Sequence, residues 1–421
     1  MSMSVPFFDE LETRDPALRE QALFAALSEQ IANAKANAPA FARILEGVDS
    51  QSVGDRQALA RLPVTRKSEL TDHQKKNFPE RDPFGGLTAV STGGLARVFA
   101  SPGPIYDPEA MRPDYWRLAR ALHAAGFRRG DVIHNSFSYH LTPAGSMLET
   151  GAHAIGCAVI PAGVGNTEVQ VRVITDVRPV GYVGTPTFLK IVLDKAKELQ
   201  VDVACIKRAL VSGEALAPSL RAELKASGVD VLQCYATADL GLIGYESRPG
   251  EGLIVDEWII VEIVRPGTGD PVAQGEVGEV VVTTLNPDYP LIRFATGDLS
   301  AVMPGTSPCG RTNARLKGWM GRADQITKVR GMFVHPSHVA DVVRRHKEIA
   351  KARLVVTRQA QNDEMTLRCA LGAPVRIEDE PALAAAIGES IHAVTKMRGR
   401  VEFAADLPND GKVIDDIRTY D

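Results

Sequence analysis

Two side chains in the second half of the sequence have the chemistry to act on phosphates, carboxylates or sugar hydroxyls. Lys412 follows a glycine in LPNDGKVIDD, close to the end of the sequence. A lysine ammonium can stabilise oxygen atoms on which negative charge builds up in a transition state. Asp298 follows the run RFATG, and an ionised carboxylate can accept hydrogen bonds from two neighbouring hydroxyl groups. A solvated lysine and a turn aspartate are the simpler interpretations of the same residues.

The composition is that of an ordinary globular protein. The 421 residues are 44% hydrophobic, which is enough for a sizeable core and for two or three domains of usual size. The formal net charge is -4, and no cluster of Lys and Arg is interleaved with aromatic residues. We therefore expect no nucleic-acid partner.

The sequence shows neither an export signal nor a cysteine motif. The stretch MSMSVPFFDELETRDP lacks a basic segment followed by a long apolar run. No stretch elsewhere approaches the roughly 20 apolar residues that span a bilayer, so we expect a cytoplasmic protein with no membrane contact. The five cysteines are scattered without a Cys-x-x-Cys pair, which predicts neither a disulfide framework nor a zinc ribbon. We expect most of them to be small buried residues.

Helix and strand patterns alternate through the middle of the chain. Apolar residues spaced three to five apart predict an amphipathic helix over 16–45. From about residue 115 the pattern predicts helices and short apolar strands in turn, ending with a strand at VLQCYAT. Such alternation favours a mostly parallel sheet with helices on both faces, and hence the α/β class.

The last part of the chain has a different pattern. After residue 250 the segments DEWIIVEIV and GEVVVTTL, joined by turn-rich sequence, predict antiparallel strands or a small barrel. From residue 322 onward the chain has its own strands and an alanine-rich helix, enough for a small domain. We therefore predict an N-terminal domain over 1–321 with mixed and parallel sheets, and a small mobile α+β domain over 322–421 that carries Lys412.

A series of short motifs runs through almost the whole chain. The series includes LARLPVTRKSEL, PFGGLTAV, HNSFSYHL, GVGNTEVQ, SGEAL, YATADLG, PLIRFATGDL, GRADQITKVRGMFVHPSHV and LPNDGK. Each motif alone is weak, but their order and spacing together are specific. On these residues the chain resembles the phenylacetate–coenzyme A ligase family of the adenylate-forming (acyl-CoA synthetase) superfamily.

The resemblance implies a reaction in two halves. A carboxylate attacks the α-phosphate of ATP, with Mg²⁺ bound, to give an acyl adenylate and pyrophosphate, and the thiol of coenzyme A then displaces AMP. In that scheme Lys412 stabilises negative charge on the carboxylate and phosphate oxygens. The implied partners are a small-molecule carboxylate, ATP and coenzyme A, and a homodimer is an expectation from the family alone.

The resemblance also implies roles for residues that precede Lys412. Asp298 corresponds to the ribose-binding carboxylate, and Arg322 to the arginine that contacts phosphate or ribose. Asp324 corresponds to the hinge between the domains. Gly331 corresponds to the small residue beside which the pantetheine arm passes, where a side chain would block the channel.

The motif YATADLG resembles the family's Tyr-Gly-x-Ser/Thr-Glu segment. The match implies that Tyr235 lies near the adenine and that Asp239 holds Mg²⁺ in place of the family's glutamate. Ala238 replaces a hydroxyl residue that usually touches the α-phosphate, and Thr237 is the neighbour that offers a hydroxyl group. The motif SGEAL either borders the adenine or is a plain strand-to-helix turn. The further nucleotide-binding candidates are Ala236, Ser212, Gly213 and Glu214.

The motif HNSFSYHL lies where members of the family line the acyl pocket. The resemblance therefore implies Phe137, Tyr139 and His140 as pocket residues. Core and loop positions are the alternative interpretation of Tyr139 and His140.

The phosphate loop is the largest departure from the family. Members carry a Ser/Thr/Gly-rich run ending in Gly-Lys, whose amides and lysine hold the pyrophosphate end of ATP. Here Ser101 and Gly103 align with it, but two prolines remove amide donors and the lysine is missing. An alternative alignment uses STGG at 91–94 together with Arg97. Both alignments weaken the expected grip on the β- and γ-phosphates.

The sequence thus predicts an AMP- and pyrophosphate-forming carboxylate–CoA ligase acting on an aryl or small organic acid such as phenylacetate. Acyl transfer to the pantetheine of a carrier protein is one alternative. A homologue that binds nucleotide or acyl-CoA without adenylation is another, motivated by the altered phosphate loop. Some branches of the family hold a structural zinc, but Cys309 alone cannot supply four ligands, and we predict no zinc.

Overall fold

The computed structural model describes the chain except residues 1–6, 77–81, 102–104, 322, 324, 326, 330–331, 360–361, 373–375, 377, 409, 411 and 419–421. The helices, α1 to α11 in chain order, are Pro16–Asn37, Pro39–Ile44, Arg56–Ala60, Leu70–Lys76, Leu118–Ala124, Ala144–Ala154, Thr167–Val177, Pro186–Glu198, Pro218–Ala226, Pro336–Arg345 and Glu380–Thr395. The strands, β1 to β21 in chain order, are Thr65–Arg66, Leu95–Ser101, Ile105–Ala110, Val132–Asn135, Ala158–Pro161, Gly181–Gly184, Arg208–Val211, Asp230–Thr237, Gly241–Tyr245, Leu253–Val255, Ile259–Val264, Gly278–Thr284, Phe294–Ser300, Val302–Met303, Arg315–Leu316, Thr327–Val329, Met332–Val334, Ile349–Gln359, Asn362–Leu371, Arg400–Ala404 and Ile414–Asp416.

The chain divides into two compact units. The first unit comprises 1–261, 282–294 and 303–319, and the second comprises 262–281, 295–302 and 320–421. Arg322, at which we predicted the boundary between domains, lies outside the described residues. The division at 321/322 stays a prediction.

The predicted α/β fold is confirmed by the main sheet of the first unit. Strands β5, β4, β6, β7 and β8 are neighbours in that order and run parallel. They are followed by β9, β10 and β15, which pair antiparallel. Helices α6 to α9 connect the parallel strands, as crossover connections require.

Both faces of this sheet are covered because successive strand residues point to opposite faces. On β6, Tyr182 belongs to a hydrophobic cluster with residues of α7, α8 and α9, whereas Val183 packs into a second cluster with residues of α5 and α6. On β7, Leu210 lies in the second cluster and its neighbours Ala209 and Val211 lie in the first. The short apolar strands β6 and β7 are therefore buried on both sides.

The predicted helix over 16–45 is interrupted. Helix α1 ends at Asn37 and α2 begins at Pro39. The residue between them, Ala38, has an extended backbone (φ -114°, ψ 102°). A proline disfavours the helical conformation of the residue before it, so the break follows from the Ala38-Pro39 step.

Strands β2 and β3 form an antiparallel hairpin where the phosphate loop was expected. The pairing extends from Leu95 opposite Ala110 to Ser101 opposite Ile105. Residues 102–104, between the two strands, lie outside the described part of the chain. Ser101 and Asp107 thus lie on two paired strands, whose register shifts between Leu95 and Arg97.

The second unit is built around a four-stranded sheet in the order β20-β19-β18-β21. Strands β18 and β19 pair antiparallel, whereas β21 and β20 run parallel to β18 and β19 respectively. Residues of α10 and α11 pack with this sheet in one hydrophobic cluster. The described part of the chain contains no helix that is both long and apolar enough to cross a membrane.

Candidate functional site

The parallel strands of the first unit bring three of the predicted motifs to one edge of the sheet. HNSFSYHL spans the carboxyl end of β4, SGEAL follows β7, and the acidic residue of YATADLG follows β8. Parallel strands have their carboxyl ends at the same edge, and ligands of open α/β sheets bind there. The alternation of the sequence is therefore what assembles these residues.

The loop after β4 is held by buried hydrogen bonds around Asn135. Its side-chain amide donates to Tyr139 Oη at 2.8 Å and to the Gly145 carbonyl oxygen at 2.9 Å. Its Oδ1 accepts from the Phe137 amide at 3.0 Å. Tyr139 in turn donates to Glu149 at 2.7 Å, and burial together with this carboxylate raises the pKa of its phenol. Tyr139 is thereby fixed as a neutral hydrogen-bonding residue.

The three predicted pocket residues differ in exposure. Phe137 is buried in the hydrophobic cluster of α5 and α6, Tyr139 is half-buried, and His140 is exposed. A side chain added at Gly213 would lie 3.8 Å from Phe137 and 3.7 Å from Thr185. The loops after β4 and β7 therefore face each other at Gly213. The role of these residues in an acyl pocket stays a prediction.

His134 and Gln170 form a buried pair that the sequence analysis did not single out. His134 Nε2 lies 2.8 Å from Gln170 Oε1, and Ser136 Oγ donates to the same oxygen at 3.0 Å. Gln170 Nε2 donates to the Gly163 carbonyl oxygen at 2.9 Å and to the Gly165 carbonyl oxygen at 2.7 Å. Burial lowers the pKa of His134, so the imidazole is neutral and donates from Nε2. This pair fixes the GVGNTEVQ loop to the end of β4.

The predicted nucleotide residues of the first unit lie in the turns after β7 and along the end of β8. Ser212 is buried and donates to the Cys234 carbonyl oxygen at 2.8 Å. Gly213 has a positive φ of 81°, and Glu214 is exposed and accepts from Thr187 at 2.6 Å. Tyr235, Ala236 and Thr237 are half-buried on β8. Their contacts with a nucleotide stay a prediction.

Asp239 lies in the turn between β8 and β9 and forms an ion pair with Lys67. The Asp239 side chain is 1% exposed, and its Oδ2 lies 2.5 Å from Lys67 Nζ. Lys67 begins the helical turn Lys67–Glu69 in the motif LPVTRKSEL. That motif contributes to the family resemblance, but the sequence alone assigns Lys67 no role. The contact joins residues 172 positions apart, which no local pattern reveals.

Asp107, on β3 of the hairpin, is a second buried carboxylate near this ion pair. Ser101 Oγ donates to Asp107 Oδ2 at 2.5 Å. Burial, and next the negative charge of Asp239, raise the pKa of Asp107 to about 8. Two hydrogen bonds between Gln74 and the backbone of Tyr106 attach β3 to α4, which directly follows the Lys67 turn. The sequence analysis missed Asp107 because it treated this segment only as a degraded phosphate loop.

The structure describes some of the residues in each of the two phosphate-loop alignments. Ser101 is buried and bonded to Asp107, and Gly103 lies outside the described residues. In the alternative alignment, Thr92–Gly94 form a short 3-10 helix. Arg97 pairs with Glu109 across the hairpin at 2.8 Å. Neither alignment is tested by these contacts.

Lys412, in the second unit, precedes β21 on a loop held by several side chains. Arg353 Nη2 donates to the Pro408 carbonyl oxygen at 3.0 Å and pairs with Asp410. Gln325 Oε1 accepts from the amides of Val413 and Ile414 at 2.5 and 2.7 Å. The loop that carries Lys412 is therefore anchored on both sides of the lysine.

The ammonium group of Lys412 is only weakly engaged. Its Nζ lies 2.9 Å from Asp415 Oδ1, and half of its side chain is exposed. Lys412 lines a cavity of about 400 Å³, which Leu299, Gln325 and Asp410 also line. Asp298, the residue before Leu299, is buried on β13, and its amide donates to Thr296 Oγ1 at 3.1 Å.

Three predicted site residues, Arg322, Asp324 and Gly331, lie outside the described residues.

Most of the cysteines are buried, as predicted: the buried ones are Cys157, Cys234 and Cys369. Cys309 lies 3.1 Å from both Ser247 Oγ and Ser307 Oγ. Where the structure describes the chain, no three His, Cys, Asp or Glu residues are grouped as a metal site would need.

Comparison with known proteins identifies relatives over most of the chain, although no protein-family model matches. A phenylacetate–coenzyme A ligase of Thermus thermophilus is 31% identical over 385 residues, covering 86% of this chain and 84% of that protein. A phenylacetate–coenzyme A ligase of Escherichia coli K12 is 30% identical over 355 residues, covering 80% and 78%.

A similar fold occurs in a solved structure. The crystal structure of 2-hydroxyisobutyryl-CoA ligase in complex with 2-HIB-AMP and CoA is 23% identical in sequence and covers 97% of this chain and 91% of that chain, with a TM-score of 0.69. This likeness confirms the predicted fold. From the sequence identity and the coverage of its curated relatives, the chain belongs to the phenylacetate–coenzyme A ligase family of acid–thiol ligases.

Proposed function

We propose that this protein is an ATP-dependent carboxylate–CoA ligase that activates an aryl or small organic acid, such as phenylacetate, as an acyl adenylate. The strongest support is the edge of the parallel sheet in the first unit. There the loops after β4, β7 and β8 carry the buried Phe137, the Gly213 turn beside it and the buried Asp239. Those are the parts that a site for an acid and a nucleotide needs.

The reaction that we propose has two balanced steps. An oxygen of the acid attacks the α-phosphorus of ATP, and the bond to the β-phosphate breaks with release of pyrophosphate. The thiolate sulfur of coenzyme A then attacks the acyl carbon, and the bond to AMP breaks. Lys412 stabilises the oxygens on which negative charge builds up, and Asp298 accepts hydrogen bonds from the ribose hydroxyls.

Mg²⁺ fits the residues after β8. Asp239 Oδ1 is buried and has no hydrogen-bond partner among the described residues, and carboxylate oxygen is the ligand type that Mg²⁺ takes. When bound, Mg²⁺ would neutralise charge on the phosphates. Asp239 would hold the ion, and Lys67 would orient that carboxylate through its 2.5 Å contact.

Lys67 also suggests an answer to the missing lysine of the phosphate loop. Its ammonium lies at Asp239 and is partly exposed, with 28% of the side chain accessible. A cation in this position can attract the β- and γ-phosphates without a Gly-Lys loop. We propose that Lys67 supplies the positive charge that the β2–β3 hairpin does not.

The acid is expected to bind beside Phe137. The phenyl ring approaches Gly213, where a side chain would meet both Phe137 and Thr185. An apolar ring next to a residue without a side chain suits a flat or small acid. His140, which is exposed, would then lie at the rim rather than in the apolar part of the pocket.

The proposal is tested by pyrophosphate release from the purified protein with ATP, Mg²⁺ and a panel of aryl and short-chain acids. Release that depends on the acid, with a CoA thioester formed when CoA is present, would support the ligase and identify its substrate class. Lys412→Ala should abolish both signals, whereas Lys347→Ala, at an exposed position of the same unit, should not. Nucleotide or acyl-CoA binding without release from any acid would instead support a homologue that has lost adenylation.

A further inference from the structure

We infer that Asp107 and Asp239 bind one divalent cation between them, together with the phosphates of the nucleotide. The inference rests on the proposed function, because it places a nucleotide at the same edge of the sheet. It goes beyond that function by adding a carboxylate from β3 of the β2–β3 hairpin, a strand that follows the residues that the first alignment matches to the phosphate loop of the family. The hairpin is then a metal-binding element rather than a damaged loop.

The hydrogen bonds of the two carboxylates leave one oxygen of each unused. Asp107 is fully buried and Asp239 is 3% exposed. Ser101 occupies Asp107 Oδ2, and Lys67 occupies Asp239 Oδ2. The two Oδ1 atoms are buried and have no partner among the described residues. Buried carboxylate oxygens without partners are costly, and a ligand that binds them removes this cost.

A third buried polar group of the first unit interacts electrostatically with both carboxylates. The hydroxyl of Tyr289 is buried and is also without a hydrogen-bond partner among the described residues. The negative charges of Asp239 and Asp107 both act on it and raise the pKa of its phenol, after burial itself. Three buried polar groups therefore interact electrostatically with one another, and an oxygen atom of each lacks a hydrogen-bond partner among the described residues.

The charges favour a divalent cation over a second lysine or a water molecule alone. Lys67 balances one of the two carboxylates, and the cation would balance the other and carry one further positive charge toward the phosphates. Mg²⁺ commonly binds through one or two carboxylates plus substrate phosphates. No third grouped ligand is present in the described chain. We therefore expect tight cation binding only when the nucleotide is bound.

The elements that carry the two aspartates are fixed to each other through α4. Lys67 begins the turn that leads into α4 and contacts Asp239. Gln74 on α4 makes two hydrogen bonds to Tyr106, the neighbour of Asp107. The positions of the two carboxylates are thus set by the fold before any ligand binds, which is what a metal site requires.

The test measures Mn²⁺ binding by electron paramagnetic resonance, with the full-length protein and α,β-methylene-ATP. The Asp107→Asn variant should bind the Mn²⁺–nucleotide complex at least about tenfold more weakly than the wild type. Its affinity for AMP without metal should stay within about twofold, because AMP does not need the ion. Asp114→Asn is the matched control, since it alters a carboxylate in the next turn of the chain that we do not assign to the metal.

The Asp107→Glu variant keeps the charge and gives a second readout. If residue 107 is a ligand, moving its carboxylate changes the zero-field splitting of the bound Mn²⁺; an unchanged spectrum would contradict the inference. This comparison decides the matter if Asp107→Asn does not fold. Unchanged Mn²⁺–nucleotide affinity in a folded Asp107→Asn protein would show that Asp239 acts alone.

The same experiment separates this inference from the proposed function. Suppose that Mn²⁺–nucleotide binding depends on Asp107 but that no acid of the panel causes pyrophosphate release. That result supports the metal site and rejects the ligase. Acid-dependent release with no effect of Asp107→Asn on Mn²⁺ binding supports the ligase and rejects the second carboxylate.

Discussion

The two lysines to which we assign roles form ion pairs of opposite character. Lys67 pairs with Asp239 in the first unit at 2.5 Å, with 28% and 1% of the two side chains exposed. Lys412 pairs with Asp415 in the second unit at 2.9 Å, with 51% and 23% exposed. The first pair joins residues 172 positions apart, and the second joins residues three apart.

The difference in exposure implies different roles for the two ion pairs. Removing one partner of a buried pair leaves a charge without water or a counter-ion, so the first pair is part of the fold. An exposed pair contributes little because water and salt screen it. Lys412 can therefore exchange Asp415 for a substrate oxygen at small cost, whereas Lys67 cannot leave Asp239 unless another cation takes its place.

The loop around Lys412 shows how an exposed lysine is still positioned. The backbone is fixed by Arg353 at Pro408 and Asp410, and by Gln325 at Val413 and Ile414. The side chain of Lys412 is half exposed and forms an ion pair with Asp415. An anchored backbone with an accessible ammonium group fits the role that we propose for Lys412.

The largest expected effect is the loss of activity in Lys412→Ala. Removing a group that stabilises developing charge typically lowers the rate by about 10²–10³. The free energy of unfolding should change by less than about 1 kcal/mol, because the lysine is exposed. Steady-state pyrophosphate release and urea denaturation measure the two quantities. If Lys412→Ala lowers the free energy of unfolding but leaves the rate of pyrophosphate release unchanged, then Lys412 stabilises the fold and has no role in the reaction.

The next largest effect is the destabilisation caused by Lys67→Met. This change keeps an apolar stem but leaves the buried Asp239 without its cation, at a cost of about 3 kcal/mol. The Lys67→Met/Asp239→Asn double variant should recover most of that loss, because no charge is then left unpaired. Urea denaturation of the wild type, both single variants and the double variant gives the coupling. Coupling near zero would mean that the pair is as weak as the exposed one.

The contrast between burial and exposure also predicts opposite pH dependences. Burial raises the pKa of Asp114 to about 7, whereas the hydrogen bond from Arg418 lowers the pKa of Asp416 to about 2. An unfolded aspartate has a pKa of about 3.9. Between about pH 4 and 7 the native state keeps a proton at Asp114 that the unfolded state has lost, so its contribution to stability falls as the pH rises. Below about pH 4 the contribution of Asp416 is lost as the pH falls toward 2.

Single substitutions check the two slopes by denaturation at a series of pH values. Asp114→Asn should make the decline between pH 4 and 7 shallower, and the raised pKa of Asp107 accounts for part of what remains. Asp416→Asn should make the decline below pH 4 shallower. The side-chain oxygen of an asparagine can still accept from the Ala119 amide, as Asp114 does at 3.1 Å. A profile for Asp114→Asn that follows the wild type would show that its carboxyl group titrates normally.

The sequence predicts the sheet and its loops better than the polar contacts across them. Apolar runs such as GYVGTP are recognisable because each is short and is separated from the next by a helix, so the pattern predicts β4, β6, β7 and β8. Asp239 was recognised through its motif. Lys67 and Asp107 were not, because their roles arise from contacts that cross the fold. The pairing of β2 with β3 also depends on contacts that local patterns do not specify.

The smallest expected effect is that of Asp415→Asn. Since Asp415 and Lys412 are both accessible, we expect the free energy of unfolding to change by no more than about 0.5 kcal/mol. We expect the rate of pyrophosphate release to stay within about twofold, because Asp415 competes only weakly for the ammonium. Stopped-flow release assays and urea denaturation measure both. A loss of activity comparable to that of Lys412→Ala would mean that Asp415 orients the lysine. The exposed ion pair would then be needed for activity, contrary to the contrast drawn here with the buried pair.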